Sequence, residues 1–457
     1  MDREEFSYFE SYHDWSDAEH HLEQAHDHYD RGSFQEAARE LQAAIEINPS
    51  NSSSHFNLGL TLDSLERYSV AVESYLQALA IAPDDPEILN CLGVDYTRLG
   101  QYELALETLA HLEKIAPDFE PGFCNRIITY SEMGEHDKAE EMFYLARQLK
   151  EHCPLCYFNI GNSLFSRQLY EKAIWCWKQA RELDPNHPQI DYRVAQAHWA
   201  MGQHAAAREH FLAELRRRPG DSEVLLDIGI LLLEMNELEA AREKFNRIIE
   251  LNPHYAQAWQ YLGEIALKLG QIPPAVERFQ RALALNSDLP GCHYRLGECY
   301  LLMGQKLNAR DHLLLEASFG AEHPEVLLDL GCLLDQAGAI VEAVNCFEKF
   351  VALYPDDYRG YYNLSLCFYQ ARQMEGGMEL SQKVLEIEPH HVPTLHNLSL
   401  AALHLGKLVA ARAYIERARE FAPEEQSLRE LEKDIRRQTS RERLASPFRR
   451  IFKKSLA

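Results

Sequence analysis

Small residues recur along this chain at a fixed interval of 34. Ala37, Ala71, Ala105, Ala139, Ala173, Ala207, Ala241, Ala275, Ala309 and Ala343 keep the interval, Gly377 takes the next place and Ala411 the last. Four residues beyond the alanine stands a large apolar side chain in most intervals, as at Tyr75, Phe143, Trp177, Phe211, Phe245, Phe279 and Phe347. That spacing is one face of a helix. With the alanine as twentieth position, twelve repeats begin at Ala18, Ser52, Pro86, Glu120, Pro154, Pro188, Ser222, Ala256, Pro290, Pro324, Tyr358 and Val392 and end at Glu425. The eighth position is small in eleven of them, for example Gly59, Gly161 and Ser399, and only Ile127 departs. A minimal side chain there lets two helices approach closely. Glycines between the helical stretches, such as Gly32, Gly100 and Gly270, reach the left-handed conformation that ends a helix. Nine repeats close with a proline, from Pro49 to Pro423, which cannot continue a helix. Each interval therefore predicts helix, turn, helix, and the unbroken period predicts a stack in which each unit packs on its neighbours.

These residues resemble the tetratricopeptide repeat. The resemblance implies an all-α, right-handed superhelical solenoid of about twelve antiparallel helix-turn-helix repeats over residues 18–425. It also implies a concave groove, lined by the first helix of each pair, that takes peptides, partner chains or helices. Residues 1–17 carry Phe6, Phe9, Tyr12 and Trp15 among acids and read as an extra capping helix or a short motif for another protein. Residues 426–438 place Leu428, Leu431 and Ile435 on one face, as a polar-backed helix capping the last repeat would. Arg436 to Ser446 is charged and reads as flexible. Residues 439–457 end in a basic amphipathic tail, where Phe448, Ile451, Phe452 and Leu456 alternate with Arg449, Arg450, Lys453 and Lys454. A disordered tail, a weak membrane-surface anchor and a segment docking on an acidic partner or on the chain's own groove are all open for it.

The groove residues follow from the register. The sixth position of the first helix is polar in nearly every repeat: Glu23, Asn57, Asn125, Asn159, Arg193, Asp227, Arg295, Asp329, Asn363 and Asn397, with Cys91 and Tyr261 in the other two. An amide offers both donors and an acceptor, so it grips a peptide backbone in either direction. The five asparagines are similar to the asparagine ladder in the repeat domain of the protein O-linked N-acetylglucosamine transferases. The middle departs from that ladder with Arg193, Asp227, Tyr261, Arg295 and Asp329, which suit side-chain readout. Phe56, Phe158, Tyr294 and Tyr362 supply apolar neighbours at the fifth position. The clamp for chaperone C-terminal carboxylates in some family members needs a basic residue there. Successive repeats hold Phe56, Asn90, Cys124, Phe158 and Tyr192, so that ligand is not expected.

Charge and chemistry narrow the reading. The net charge is −25, which argues against a nucleic-acid partner. From Ile435 onward the sign reverses, with eight Lys/Arg against one Glu. No apolar run of about 18 residues exists, so no membrane span is expected. The charged start at Met1-Asp2-Arg3-Glu4-Glu5 and ten scattered cysteines suit a reducing, cytoplasmic setting. Cys153-Pro154-Leu155-Cys156, with His152 beside it, has no second pair to complete a four-ligand zinc site, so packing cysteines are expected. His20, His21, His26 and His28 read as a solvated helix face. No phosphate loop, metalloprotease motif or nucleophile elbow occurs. The expected function is thus a non-catalytic scaffold or adaptor without cofactor or metal. The alternatives are a regulatory or substrate-recognition subunit of a separately encoded enzyme, such as a glycosyltransferase, and a membrane-recruited assembly factor using the tail.

Repeat eleven is the least regular, with Ser365, Arg372, Gly377 and Ser381 in place of the usual small, turn and aromatic residues. Gly376-Gly377 falls inside its second helix, where each glycine costs ~1 kcal/mol against alanine. Amide hydrogen exchange in residues 358–391 is therefore expected to run faster than in the repeats on either side; equal protection would refute a soft joint.

Overall fold

The computed structural model describes residues 3–149, 153–319 and 324–454, with side chains placed between 17 and 440 apart from 150–152 and 320–325. Among the described residues there are 25 helices and no strand. The register read from the sequence sets the helix boundaries. Second helices begin at position seventeen of every repeat, from Phe34–Ile47 and Tyr68–Ile81 to Met374–Ile387 and Leu408–Phe421. Contacts divide the chain into two units, Met1–Val224 and Leu225–Ala457. Within each unit, paired helices of a repeat pack on each other, as Ala256–Lys268 does on Ile272–Leu285, and second helices pack on the first helix of the following repeat, as Tyr68–Ile81 does on Pro86–Arg98.

Packing at positions eight, twenty and twenty-four explains the period. All eleven ladder alanines are wholly buried. Opposite them, the eighth-position glycine makes room for the twenty-fourth side chain. A Cβ on Gly161 would stand 2.5 Å from the Trp177 indole, one on Gly263 2.7 Å from the Phe279 ring, and one on Gly331 2.6 Å from the Phe347 ring. Trp177, Phe279 and Phe347 are in turn among the most deeply buried side chains. Ile127 fills this space itself, and its partner Phe143 lies edge-on against Tyr157 of the next repeat, ring centroids 5.1 Å apart.

Repeat eleven inverts the arrangement. Its eighth and twenty-fourth positions are the buried Ser365 and Ser381. Tyr369 supplies the ring instead, and it lies where a Cβ on Gly377 would be, 2.5 Å away. The Tyr369 hydroxyl and Ser381 Oγ share a hydrogen bond of 2.8 Å. The missing alanine methyl is thus matched by a tyrosine from the other helix.

The turn is stricter than the glycine count suggests. Position fifteen has positive φ in all twelve repeats: eight are glycine, and Glu66, Gln168, Asn236 and Arg372 take φ of 58°, 61°, 59° and 59°. Repeats six and nine open differently. Gln189 and Gly291, at their second positions, have φ of 66° and 74°, and their first helices begin late, at Ile190 and Cys292. These two repeats carry Glu214 and Glu316 where most others carry alanine. The Glu316 carboxylate accepts from the Gly291 and Tyr294 amides at 3.0 and 3.1 Å and so caps the shortened helix.

Both ends differ from the expected segmentation. The first helix is continuous over Arg3–Asp30, with no Gly or Pro to divide a separate cap from repeat one. The side chains of Phe6, Phe9, Tyr12 and Trp15 lie outside the described residues. At the other end Leu428, Leu431 and Ile435 are buried in one cluster with Leu395, Leu398 and Ile415 of the last repeat. That helix runs on as Gln426–Lys454, through the expected boundary at 438 and through the stretch read as flexible. The tail's side chains beyond 440 lie outside the described residues.

Relieving a left-handed side chain with glycine should stabilise, and adding one should destabilise. Glu66→Gly is expected to raise and Gly270→Ala to lower stability, each by ~1 kcal/mol. Gly263→Ala is expected to lower it by ~1–3 kcal/mol through overpacking against Phe279, although alanine is the better helix former. Urea unfolding of the three variants reads the signs; a stabilised Gly263→Ala would show that the ring moves aside freely.

Candidate partner-binding clefts

First helices of many successive repeats touch one another, whereas second helices make no comparable contact with their counterparts among the described residues. Within each unit this puts the first helices on the inner side of the stack. Their side chains meet at a separation of 35, one repeat plus one residue. Tyr29 and Ser64 hydroxyls share a hydrogen bond of 3.2 Å, Gln370 donates to Asp335 at 3.1 Å, and Arg98 pairs with Asp63.

This offset decides what the sixth-position residues do. Asn125 donates its amide to Asn90 Oδ1 at 2.7 Å. Asn159 is buried and donates to the Cys124 carbonyl at 3.3 Å. Both amides join repeats together. Arg193 donates to Gln196 at 3.1 Å and lies over the Tyr192 ring. Tyr261 stacks on Phe245 with centroids 5.1 Å apart, and burial pushes its phenol up. Arg295 pairs with Glu298 at 3.0 Å over the Tyr294 ring. Asp227 and Asn363 are half-buried, while Glu23, Asn57 and Asp329 are exposed.

Asn57 and Asn397 each line a cleft. The cleft at Asn57 has a volume of about 210 Å³ and is also walled by His26, Tyr29 and Asp30 of repeat one and by Leu60 and Thr61. The cleft at Asn397 has about 360 Å³ and is walled by Leu366, Tyr369 and Gln370 of repeat eleven and by Leu400, Ala401 and His404. In repeat numbering these are the same place. Positions nine, twelve and thirteen of one repeat face positions six, nine and ten of the next. The sequence reading stopped at position six. Helical spacing of three, four and seven from it would have found the wall residues at positions nine, ten and thirteen, though not the tyrosines at position twelve. A further cleft of about 350 Å³ lies beside the displaced Phe143, between Tyr144 and Trp175.

Two clusters were also missed. Asp95 is buried between Asp63 and Arg98, donated to by Arg98 Nη1 at 3.1 Å. Burial, reinforced by the Asp63 charge and opposed by Arg98, pushes its carboxyl up to about 7. Cys124, from the repeat before, joins Cys153 and Cys156. Three histidines of the first helix find polar partners, His20 in Gln24, His26 in Asp30 and His21 in Glu40 at 2.6 Å.

The chain belongs to the tetratricopeptide repeat family, whose profile matches residues 22–86, 158–222, 226–290 and 328–391, more than half of its length. No curated protein matches it. Among solved structures it is similar to yeast Tom70, at 15% identity and TM-score 0.41, over 88% of this chain and 99% of that one. It is similar to the APC/C hetero-tetramer Cut9-Hcn1 at 14% identity and TM-score 0.39, over 92% and 96%. YrrB, described as a TPR protein with an unusual peptide-binding site, aligns at 18% identity and TM-score 0.38, over 41% and 97%. No helix among the described residues is long and apolar enough to cross a membrane.

The Asp95 shift fixes a sign. Its native carboxyl titrates near 7 and its unfolded one near 3.9, so the folded chain binds the extra proton between those values. The burial penalty is in full force above that window and is relieved as pH falls through it. Asp95→Asn is expected to raise the melting temperature at alkaline pH, with the gain shrinking to nothing near pH ~4. Melting curves across that range check it, and a pH-independent difference would remove the shift.

Proposed function

We propose that the chain is a non-catalytic interaction scaffold that seats extended or helical segments of other proteins on the first-helix faces of each unit, in the cleft at Asn57 of the first and the cleft at Asn397 of the second. The observation that carries this is the coincidence of the two clefts in repeat numbering. A binding surface that recurs with the period of the fold suits a ligand that itself runs on from repeat to repeat. Each cleft combines an amide at its rim with an apolar wall, Leu60 in one and Leu366 and Leu400 in the other. The amide serves the ligand backbone and the wall its side chains. Asn363 and the exposed Asp329 continue the same face in the second unit. Asn125 and Asn159 contribute to joining repeats more than to ligand contact. The ladder grip is therefore discontinuous, concentrated at the two clefts.

A photo-reactive phenylalanine analogue placed at Leu400 is expected to cross-link a partner. The same group at Val409, exposed on a second helix, is not. Asn57→Ala and Asn397→Ala should each weaken capture at its own cleft several-fold, from one hydrogen bond of ~0.5–1.5 kcal/mol, with unchanged helicity. Equal cross-linking from both faces would overturn the groove reading.

A further inference from the structure

Cys124, Cys153 and Cys156 converge although 29 and 32 residues separate the first from the others. Cys124 lies on the first helix of repeat four, Glu120–Glu132. Cys153 is the N-cap of the next first helix, Pro154–Ser166, and Cys156 sits in its opening turn. All three are buried, and their sulfurs lie within 4.8 Å of one another. Cys124 Sγ is 3.5 Å from Cys153 Sγ and 2.7 Å from Cys156 Sγ. The Cys156 amide donates to Cys153 Sγ at 3.0 Å. Glu120, one turn before Cys124 on the same helix, brings its carboxylate against Cys153.

Packing alone does not account for this. Phe123, Ile127, Tyr157 and Ile160 surround the three thiols, so apolar contact was available to each sulfur singly. Instead the sulfurs are gathered at one point, at or inside nonbonded contact. Repeat four is also where the repeat rule fails twice. Its eighth position is Ile127, and the place of the closing proline is taken by Glu151.

We propose that Cys124, Cys153 and Cys156 bind one zinc ion through their three sulfurs, and that the ion ties repeat four to repeat five. Thiolate sulfur selects zinc over the hard cations. With Zn–S near 2.3 Å a tetrahedral site separates its sulfurs by about 3.8 Å. The present arrangement reaches that by a small outward movement of Cys124. Three thiolates from two adjacent repeats make a structural link, which adds its binding free energy to folding.

The test uses the full chain, stripped of metal under reducing conditions and titrated with Co2+ alone, then Zn2+. One equivalent of Co2+ should give thiolate-to-cobalt absorption in the near ultraviolet and intense tetrahedral bands in the red, bleached by Zn2+. Cys124→Ser and Cys153→Ser should each weaken Co2+ binding by roughly tenfold or more. Serine keeps the N-cap at 153, so that variant remains informative if Cys124→Ser does not fold. Cys176→Ser, in the same core, should bind as wild type does. Absence of the thiolate band, or equal binding by wild type and Cys153→Ser, would overturn the site. So would a Cys124–Cys156 disulfide in chain isolated without reductant, if that chain binds no metal after reduction.

Discussion

Everything in this structure depends on how closely the two helices of a repeat approach. The approach is set where an eighth-position glycine meets the side chain sixteen residues later. A methyl on Gly59 would stand 2.3 Å from the Tyr75 ring, and the same conflict recurs at Gly161, Gly229, Gly263 and Gly331. Interiors are packed too tightly to absorb such an overlap without displacement. The ladder alanine is the second half of the constraint, wholly buried wherever it occurs. Together they fix the depth of each helix pair. Because each repeat presents the same depth to the next, the period can run for twelve units without insertion.

The constraint acts on a sum of volumes, not on particular residues. That is why the sequence could be read so far and no further. Ladder, turn and closing proline repeat in register, and the helix boundaries of the structure follow them to within a residue in most repeats. Repeat eleven looked defective because each position was judged alone. Gly377 lacks a methyl and Ser381 lacks a ring, but Tyr369 fills the first vacancy and bonds the second residue. Such an exchange between helices is invisible to position-by-position reading, since large and small have swapped sides at nearly constant volume. The left-handed Glu66, Gln168, Asn236 and Arg372 show the converse. The backbone conformation is imposed by the pair of helices even where the residue resists it.

The clefts were half legible for a related reason. Register identified position six, and helix periodicity alone would have added positions nine, ten and thirteen. What one repeat's numbering does not show is the offset between repeats. Contacts run from residue i to i+35, so an asparagine that looks free in its own helix is within reach of the previous one. Asn125 and Asn159 are satisfied that way, while Asn57 and Asn397 line open clefts. A shorter offset, of 32, brings Asp95 to Asp63 and places Cys124 beside Cys156 in a motif that seemed incomplete. In each case the second partner was missing from the pattern because it belonged to the repeat before.

Departures from the repeat rule therefore carry information that the rule does not. A stack of identical units would present one identical surface along its length and could not distinguish its partners' segments. Repeat four substitutes Ile127 for the small residue, turns Phe143 toward Tyr157, and there gathers three buried thiols and a cleft between Tyr144 and Trp175. Repeat eleven swaps its ring across the helix pair, and that ring, Tyr369, walls the cleft at Asn397. In both, the residue that breaks the packing rule is adjacent to the chemistry proposed there. Functional positions are where natural sequences set aside local consistency and compensate nearby. In a repeat protein the eleven other copies make each such exception readable.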